Sequence, residues 1–400
     1  MARLRWWVLI PVVLVVLFIV QIARPVPTVR MEVQLPATFA VPGAAPQIPW
    51  PTAGQSAVAI MGVGMIGTSG GSAPQPIASL TKMMVGYLAL KDHPLGPGED
   101  GPKVTVTAAD AALYRSDLAS GQSVLPVAAG EVLTERQMLQ GLLLPSGNNI
   151  ANLIASWDAG SEQAFVTKMN AAAAGLGMSN THYADASGFD PATVSTAVDQ
   201  IKLAEAAMAN PTFAEIVKLP QVTLPVAGVV YNVNAKLGQS GIVGVKTGST
   251  TAAGGCYVVA SQASVGGRPV MVLAAVLGQG GAQPLPDALV AGQKLVSAAP
   301  ALLTTVTPVH GGTVAATLVA PWAKPVQLTL PATPSPTWVG WGGMGGTAQV
   351  AGTAALGRTV AAGTHVAQVT MALGTQRVVL PLTAAQGIPA PSLLWRLTRP

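Results

Sequence analysis

The chain has 400 residues, half of them hydrophobic and only 9% charged, against roughly 25% charged in an ordinary soluble protein. Disorder is excluded, because it requires low hydrophobicity, and the length is enough for two or three domains. The net charge of +5 comes without a Lys/Arg cluster or an aromatic-basic stripe, so no nucleic-acid partner is expected. Cys256 is the only cysteine, which rules out an intrachain disulfide. His93, His182, His310 and His365 lack zinc-like spacing. The composition is that of an exported protein with a nearly uncharged surface.

At the N-terminus, Arg3 and Arg5 precede an uncharged run from Trp6 to Ala23, at the lower edge of the ~20 residues that cross a bilayer. A signal peptide begins the same way. Gln21 lies two residues before Ala23 and Arg24 follows, which makes a poor small-x-small cleavage site. Residues 1–24 are therefore expected as a signal peptide or signal anchor, the anchor being favoured. Either form leaves the N-terminus inside and the bulk of the chain outside the cytoplasmic membrane. Residues 25–51, rich in Pro and Ala, read as an extended linker.

The apolar stretch 57–67 (AVAIMGVGMIG) suits a buried strand or strand pair, followed by a TSGGSAP loop. Residues 79–90 (SLTKMMVGYLAL) are apolar nearly all round and predict a buried helix. Thr134-Glu135-Arg136-Gln137 fits a capping box opening a helix that stops at Pro145. Asn149–Trp157 reads as helix. So do residues 162–176, with Phe165, Val166, Met169, Ala172, Ala173 and Leu176 on one face and Gly177 past the end. Cys256–Gln262 and Pro269–Gly278 flank Gly266-Gly267, a hairpin signal. A helix near 286–298 closes the segment. The expected fold is α+β over 52–298, helices followed by antiparallel strands. After it, 303–385 reads as a small all-β domain of Val/Thr-rich runs broken by Gly and Pro, and 386–400 as a C-terminal tail.

Three short motifs carry chemistry. Ser79-Leu80-Thr81-Lys82 places a hydroxyl and an amine one helical turn apart. A serine is a poor nucleophile without a base within reach, and a lysine becomes that base when burial lowers its pKa. Ser146-Gly147-Asn148 offers a hydroxyl for proton transfer and an amide for a peptide substrate, although Ser and Asn in such a loop more often cap a helix. Lys246-Thr247-Gly248 follows a strand-like GIVGV and supplies a cation and a hydroxyl for a carboxylate, with a glycine that permits close approach. Each motif alone has a bland explanation. Their order, SxxK, SxN, KTG, is far more specific than any one of them.

With these motifs and the flanking PIASLTKMM, GEVLTERQMLQGLLLPSGNN, FVTKMNAAAAGLGMSNTHY and VKTGSTTAAGGCYVVAS, the chain resembles the low-molecular-mass penicillin-binding proteins, the serine D-Ala-D-Ala carboxypeptidases. The resemblance covers about residues 57–298 and extends to the tail PSLLWRLTRP. It implies a transpeptidase/β-lactamase-like domain, an antiparallel sheet with helices on both sides, followed by a small β-domain. It also implies roles. Ser79 is the acylated nucleophile, Lys82 its base, and Ser146 passes the proton to the leaving group. Asn148 holds the peptide amide, Lys246, Thr247 and Gly248 form the carboxylate end of the site, and the backbone N–H groups of Ser79 and Ser249 stabilise the oxyanion. The implied substrate is a peptidoglycan stem peptide, with β-lactams as inhibitors, no cofactor or metal, and residence outside the bacterial membrane. A D-Ala endopeptidase, a β-lactamase and a non-catalytic wall-binding scaffold are the alternatives; the intact motifs argue against the scaffold. Family members usually read SGND where Asn149 stands here, and the stretch before Ser79 is unusually Gly-rich.

Overall fold

Residues 6–332, 336–352 and 356–400 are described by the computed structural model; Arg3 and Arg5 of the expected signal lie outside them. The chain divides into two units, Ala45–Thr304 and a second made of residues up to Ala44 together with Thr305–Pro400.

In the first unit, β1 (Gln55–Ile60) and β2 (Gly64–Ser69) form the strand pair expected from the apolar stretch at 57–67. Later in the chain come β3 (Ile242–Thr250), β4 (Gly254–Val265) and β5 (Arg268–Gln279). The five strands make one antiparallel sheet in the order β3-β4-β5-β1-β2. Every residue of β1 is buried, as in a strand covered on both faces. β4 and β5 join through Gly266 and Gly267 at φ 56° and 79°. Both angles lie in the left-handed region that a two-residue hairpin demands and glycine supplies.

The longer helices of this unit are α1 (Lys82–Asp92), α2 (Ala108–Ala119), α3 (Glu135–Leu143), α4 (Asn148–Ala159), α5 (Glu162–Gly175), α6 (Ala197–Met208) and α7 (Pro284–Ala298), with the short helix Pro211–Val217 between α6 and α7. Side chains along the strands alternate between two faces. Ala57, Ala59, Val258, Ala260, Leu273 and Ala275 join one core with α1, α3 and α4. On α7, Gly292 lies against Tyr257 and Val259, residues of the alternate set. The capping box at α3 is present: Gln137 N donates to Thr134 Oγ1 at 3.2 Å, and Thr134 N donates to Gln137 Oε1 at 2.9 Å. α5 buries Phe165, Val166, Met169 and Ala173.

Within the stretch 25–51 expected as a linker, residues up to Ala44 belong to the second unit and contain two strands. Arg30–Val33 pairs with Val314–Val319, and Thr38–Ala40 pairs with Gly345–Gly352. Pro36 lies between these short strands, flanked by bends at Leu35 and Ala37, and Val26, Val29, Leu35 and Val41 are buried core residues. One sheet has three strands, with Val314–Val319 between Arg30–Val33 and Val326–Thr329. The other has four, ending with His365–Leu373 and Gln376–Thr383. The C-terminal helix Leu393–Thr398 meets the end of helix Trp6–Ala23: Gln21 Nε2 donates to the Arg399 carbonyl at 2.8 Å, and Arg399 Nη2 donates to the Arg24 carbonyl at 2.7 Å. Residues from Leu9 to Val20 of the N-terminal helix are exposed hydrophobics. Among the described residues, no helix is long and apolar enough to cross a membrane.

Candidate active site

Ser79 sits in a single 3₁₀ turn, Ala78–Thr81, immediately before α1. The expected continuous helix therefore starts tighter than predicted. Ala78 adopts φ 48°, a left-handed conformation costing an L-residue roughly 1–2 kcal/mol. Thr81 Oγ1 donates to its carbonyl at 2.8 Å. Strain next to a reactive residue is a common device for aiming it. Ser79 itself remains partly accessible.

One turn on, Lys82 is completely buried. Its Nζ donates to Ser79 Oγ at 2.8 Å, to Asn148 Oδ1 at 2.6 Å and to the Ser187 carbonyl at 2.9 Å. Those three acceptors use all three protons of an ammonium. Burial, then the nearby charge of Lys246, hold its pKa well below the ordinary lysine value, while Asp185 pulls it up.

α4 begins at Asn148 with Gly147 as its cap and no side-chain cap bond. Neither Ser146 nor Asn148 is spent as a helix cap, which removes their bland explanation. Ser146 adopts φ 67°, and its Oγ is buried without a hydrogen-bond partner among the described residues. Asn149, where the family usually carries an acid, pairs with Leu125 twice: Leu125 N donates to its Oδ1 at 2.9 Å and its Nδ2 donates to the Leu125 carbonyl at 2.9 Å. The second bond requires an amide, since a carboxylate only accepts.

Lys246, Thr247 and Gly248 lie in β3, the edge strand of the sheet. Gly248 runs against the nucleophile's turn: a Cβ there would lie 2.9 Å from Ser79 N and 3.1 Å from Leu80 N. The close approach expected for a ligand is thus taken by the Ser79 backbone. Lys246 is 1% exposed, its Nζ donates to the Thr247 carbonyl at 3.1 Å, and burial lowers its pKa to about 7. Thr247 is buried opposite Tyr257 in the strand pair.

Of these residues, Ser79 and Asn148 border a cleft of about 230 Å³, lined also by Gln122, Phe189, Ser249 and Thr250 among others. Lys82, Ser146, Lys246 and Thr247 are buried and do not line it. A larger hollow of about 530 Å³, bordered by Gln262 and Ala263 and by residues 269–271, holds no titratable or nucleophilic side chain. The site therefore unites a serine, two buried amines with lowered pKa and a polar, uncharged cleft. That is the equipment of acyl transfer.

A sequence model of the D-alanyl-D-alanine carboxypeptidase family matches residues 65–280. The chain belongs to that family. It is 36% identical over 204 residues to D-alanyl-D-alanine carboxypeptidase DacB2 of Mycobacterium tuberculosis, covering 49% of this chain and 65% of that one. The crystal structure of the Streptomyces K15 DD-transpeptidase superposes with a TM-score of 0.56 at 29% identity, covering 64% of this chain and all of that one. Penicillin-binding protein 6B of Escherichia coli matches at a TM-score of 0.62 over 86% of this chain and 99% of its own; at 23% identity the likeness is one of fold. The chain spans between about half and two thirds of the length of the curated relatives it matches.

The fold of the carboxypeptidase family is thus the α+β architecture expected from the sequence. This member's site also uses residues that no motif revealed. The Ser187 carbonyl holds Lys82, and Asp185 ties that loop: Ser187 Oγ donates to Asp185 Oδ2 at 2.7 Å and Phe189 N to the same oxygen at 2.9 Å. Asp185-Ala186-Ser187-Gly188 reads in sequence as an ordinary turn, and a backbone acceptor leaves no residue signature.

Proposed function

We propose that the protein is a serine D-Ala-D-Ala carboxypeptidase, removing the terminal D-alanine of peptidoglycan stem peptides through an acyl-enzyme on Ser79. The observation that carries this reading is the contact of 2.8 Å between Lys82 Nζ and Ser79 Oγ, with Lys82 fully buried and its basicity lowered. A neutral Lys82 keeps two N–H bonds, to Asn148 Oδ1 and the Ser187 carbonyl. Its lone pair then faces the Ser79 hydroxyl. Ser79 Oγ attacks the carbonyl between the two D-alanines and its proton passes to Lys82. As the C–N bond breaks, Ser146 relays that proton from Lys82 to the departing D-alanine nitrogen, which returns Lys82 to the neutral amine; the buried Ser146 hydroxyl, without a partner among the described residues, favours the role. Water then attacks the acyl-enzyme, with Lys82 again as base.

The backbone N–H groups of Ser79 and Ser249 serve as the oxyanion hole, supported by the close approach of Gly248 to Ser79 N. Lys246 supplies positive charge at the substrate carboxylate. Asn148 contacts the peptide amide from the cleft wall. Thr247 assists the carboxylate end from beneath, and the hydroxyls of Ser249 and Thr250 on the cleft surface extend it. β-Lactams acylate the same serine. The enzyme works outside the cytoplasmic membrane, with residues 1–24 serving as its signal peptide or signal anchor. Incubation with a stem pentapeptide tests the activity: release of one D-alanine per peptide is expected. Cleavage of crosslinked dimers with no D-alanine from the pentapeptide would replace the carboxypeptidase with an endopeptidase.

A further inference from the structure

Asn148 presents an amide whose two ends are nearly identical in shape. Which end faces Lys82 is therefore decided by hydrogen bonding alone. Lys82 Nζ donates to Asn148 Oδ1 at 2.6 Å. At the other end, Asn148 Nδ2 donates to Gln122 Oε1 at 2.6 Å. Gln122 poses the same question one step out, and Asp117 answers it: Gln122 Nε2 donates to Asp117 Oδ1 at 3.2 Å. Asp117 lies in α2, is 7% exposed, and its second oxygen has no partner among the described residues. The backbone reinforces the chain, with Gln122 N donating to the Asp117 carbonyl at 3.0 Å and Asn148 N to the Ser123 carbonyl at 2.8 Å.

We infer that Gln122 and Asp117 are positioning residues for the acylation step, fixing the sense of a two-amide relay that ends on Lys82. A carboxylate only accepts, and Lys82 Nζ donates to Asn148 Oδ1 both as an ammonium and as the neutral amine that keeps this N–H bond. Between them, each amide has one orientation that satisfies both neighbours. Reversing Asn148 would set its amide N–H against a Lys82 N–H, and reversing Gln122 would set its amide N–H against that of Asn148; either change disengages a link of the chain that holds Nζ against Ser79. The role rests on the acylation of Ser79 proposed above.

The test is the rate of acylation of Ser79 by a fluorescent penicillin, for each variant at its own optimal pH. Gln122→Leu breaks both side-chain links and is expected to slow acylation about tenfold or more. Gln122→Glu alone places two carboxylates side by side and is expected to be similarly impaired. Combining Gln122→Glu with Asp117→Asn restores the sense of the relay, because Asn at 117 donates to Glu at 122, which still accepts from Asn148 Nδ2. That double variant is expected to return to within about threefold of wild type, a rescue that loss of packing does not produce. If wild type is labelled and Gln122→Leu is labelled equally fast, or if the double variant is no better than Gln122→Glu, the inference is overturned. If wild type itself is not labelled at Ser79, the proposed activity falls and the positioning role falls with it.

Discussion

The two units bury very different chemistry. Among the described residues, Thr317 is the single buried polar side chain of the unit built from residues up to Ala44 and Thr305–Pro400. The other unit buries Lys82, Lys246, Asp117, Glu135, Arg136 and Asp199, besides many neutral polar groups. Burying a charge is costly unless it is paired and hydrogen-bonded. Arg136 meets that requirement through Glu215 at 2.9 Å and the Glu99 carbonyl. Lys246 does not, having one carbonyl at 3.1 Å. Where a fold tolerates such a group, the compensation is sought in function. The β-rich unit shows what the same chain does without that demand: it closes small sheets over Val, Ala and Leu.

The contrast breaks first at Lys82. Lys82→Ala is expected to lower acylation of Ser79 by about 10³- to 10⁴-fold, a general-base loss, while the variant still melts cooperatively. Loss of folding would mean that Lys82 is structural. Next is Lys246→Met, expected to raise KM for a peptide with a free terminal carboxylate about 10- to 100-fold. Because burial lowers the folded-state pKa of Lys246 to about 7, its charge is lost as pH rises through 7, so wild-type KM should climb above that pH. The unfolded chain binds the proton up to its ordinary pKa, so wild-type stability from this group rises with pH above 7. The thermal gain of Lys246→Met should then be larger at pH 6 than at pH 9.

A smaller effect belongs to Glu135, whose two carboxylate oxygens are buried without a hydrogen-bond partner among the described residues and whose pKa burial raises to about 7. The folded state holds its proton longer than the unfolded one, so stability falls as pH rises from the ordinary carboxylate range to 7. Glu135→Gln should remove that fall and leave acylation unchanged, read as melting temperatures at pH 5 and pH 8. Smallest is Thr134→Ala, which removes the cap of α3 and should cost about 1 kcal/mol in denaturant unfolding.

Legibility in the sequence follows the same division. The grouping of Ser79, Lys82, Ser146, Asn148 and Lys246 into one candidate site was readable because the three motifs have short, fixed spacings. The Gly266-Gly267 hairpin and the Thr134 capping box were readable because only a few residues satisfy such backbone geometry. The Ser187 carbonyl was not, since any residue carries one. Gln122 lies in a loop with no motif, and its part depends on Asn148 coming within reach through tertiary packing. The strands at Arg30–Val33 and Thr38–Ala40 were hidden because each is short and flanked by proline-containing stretches. Their pairing partners lie nearly 300 residues away, beyond any local pattern. The turn at Ser79 departs from a regular helix because Ala78 is held left-handed by its surroundings, which composition does not encode.

The central claim is that Ser79 is the acylated nucleophile. Peptide mapping by mass spectrometry after exposure to benzylpenicillin tests it most directly. The predicted result is a single penicilloyl adduct on the peptide containing Ser79, absent in Ser79→Ala. A folded wild-type protein with no adduct, or an adduct that persists in Ser79→Ala, would contradict the account.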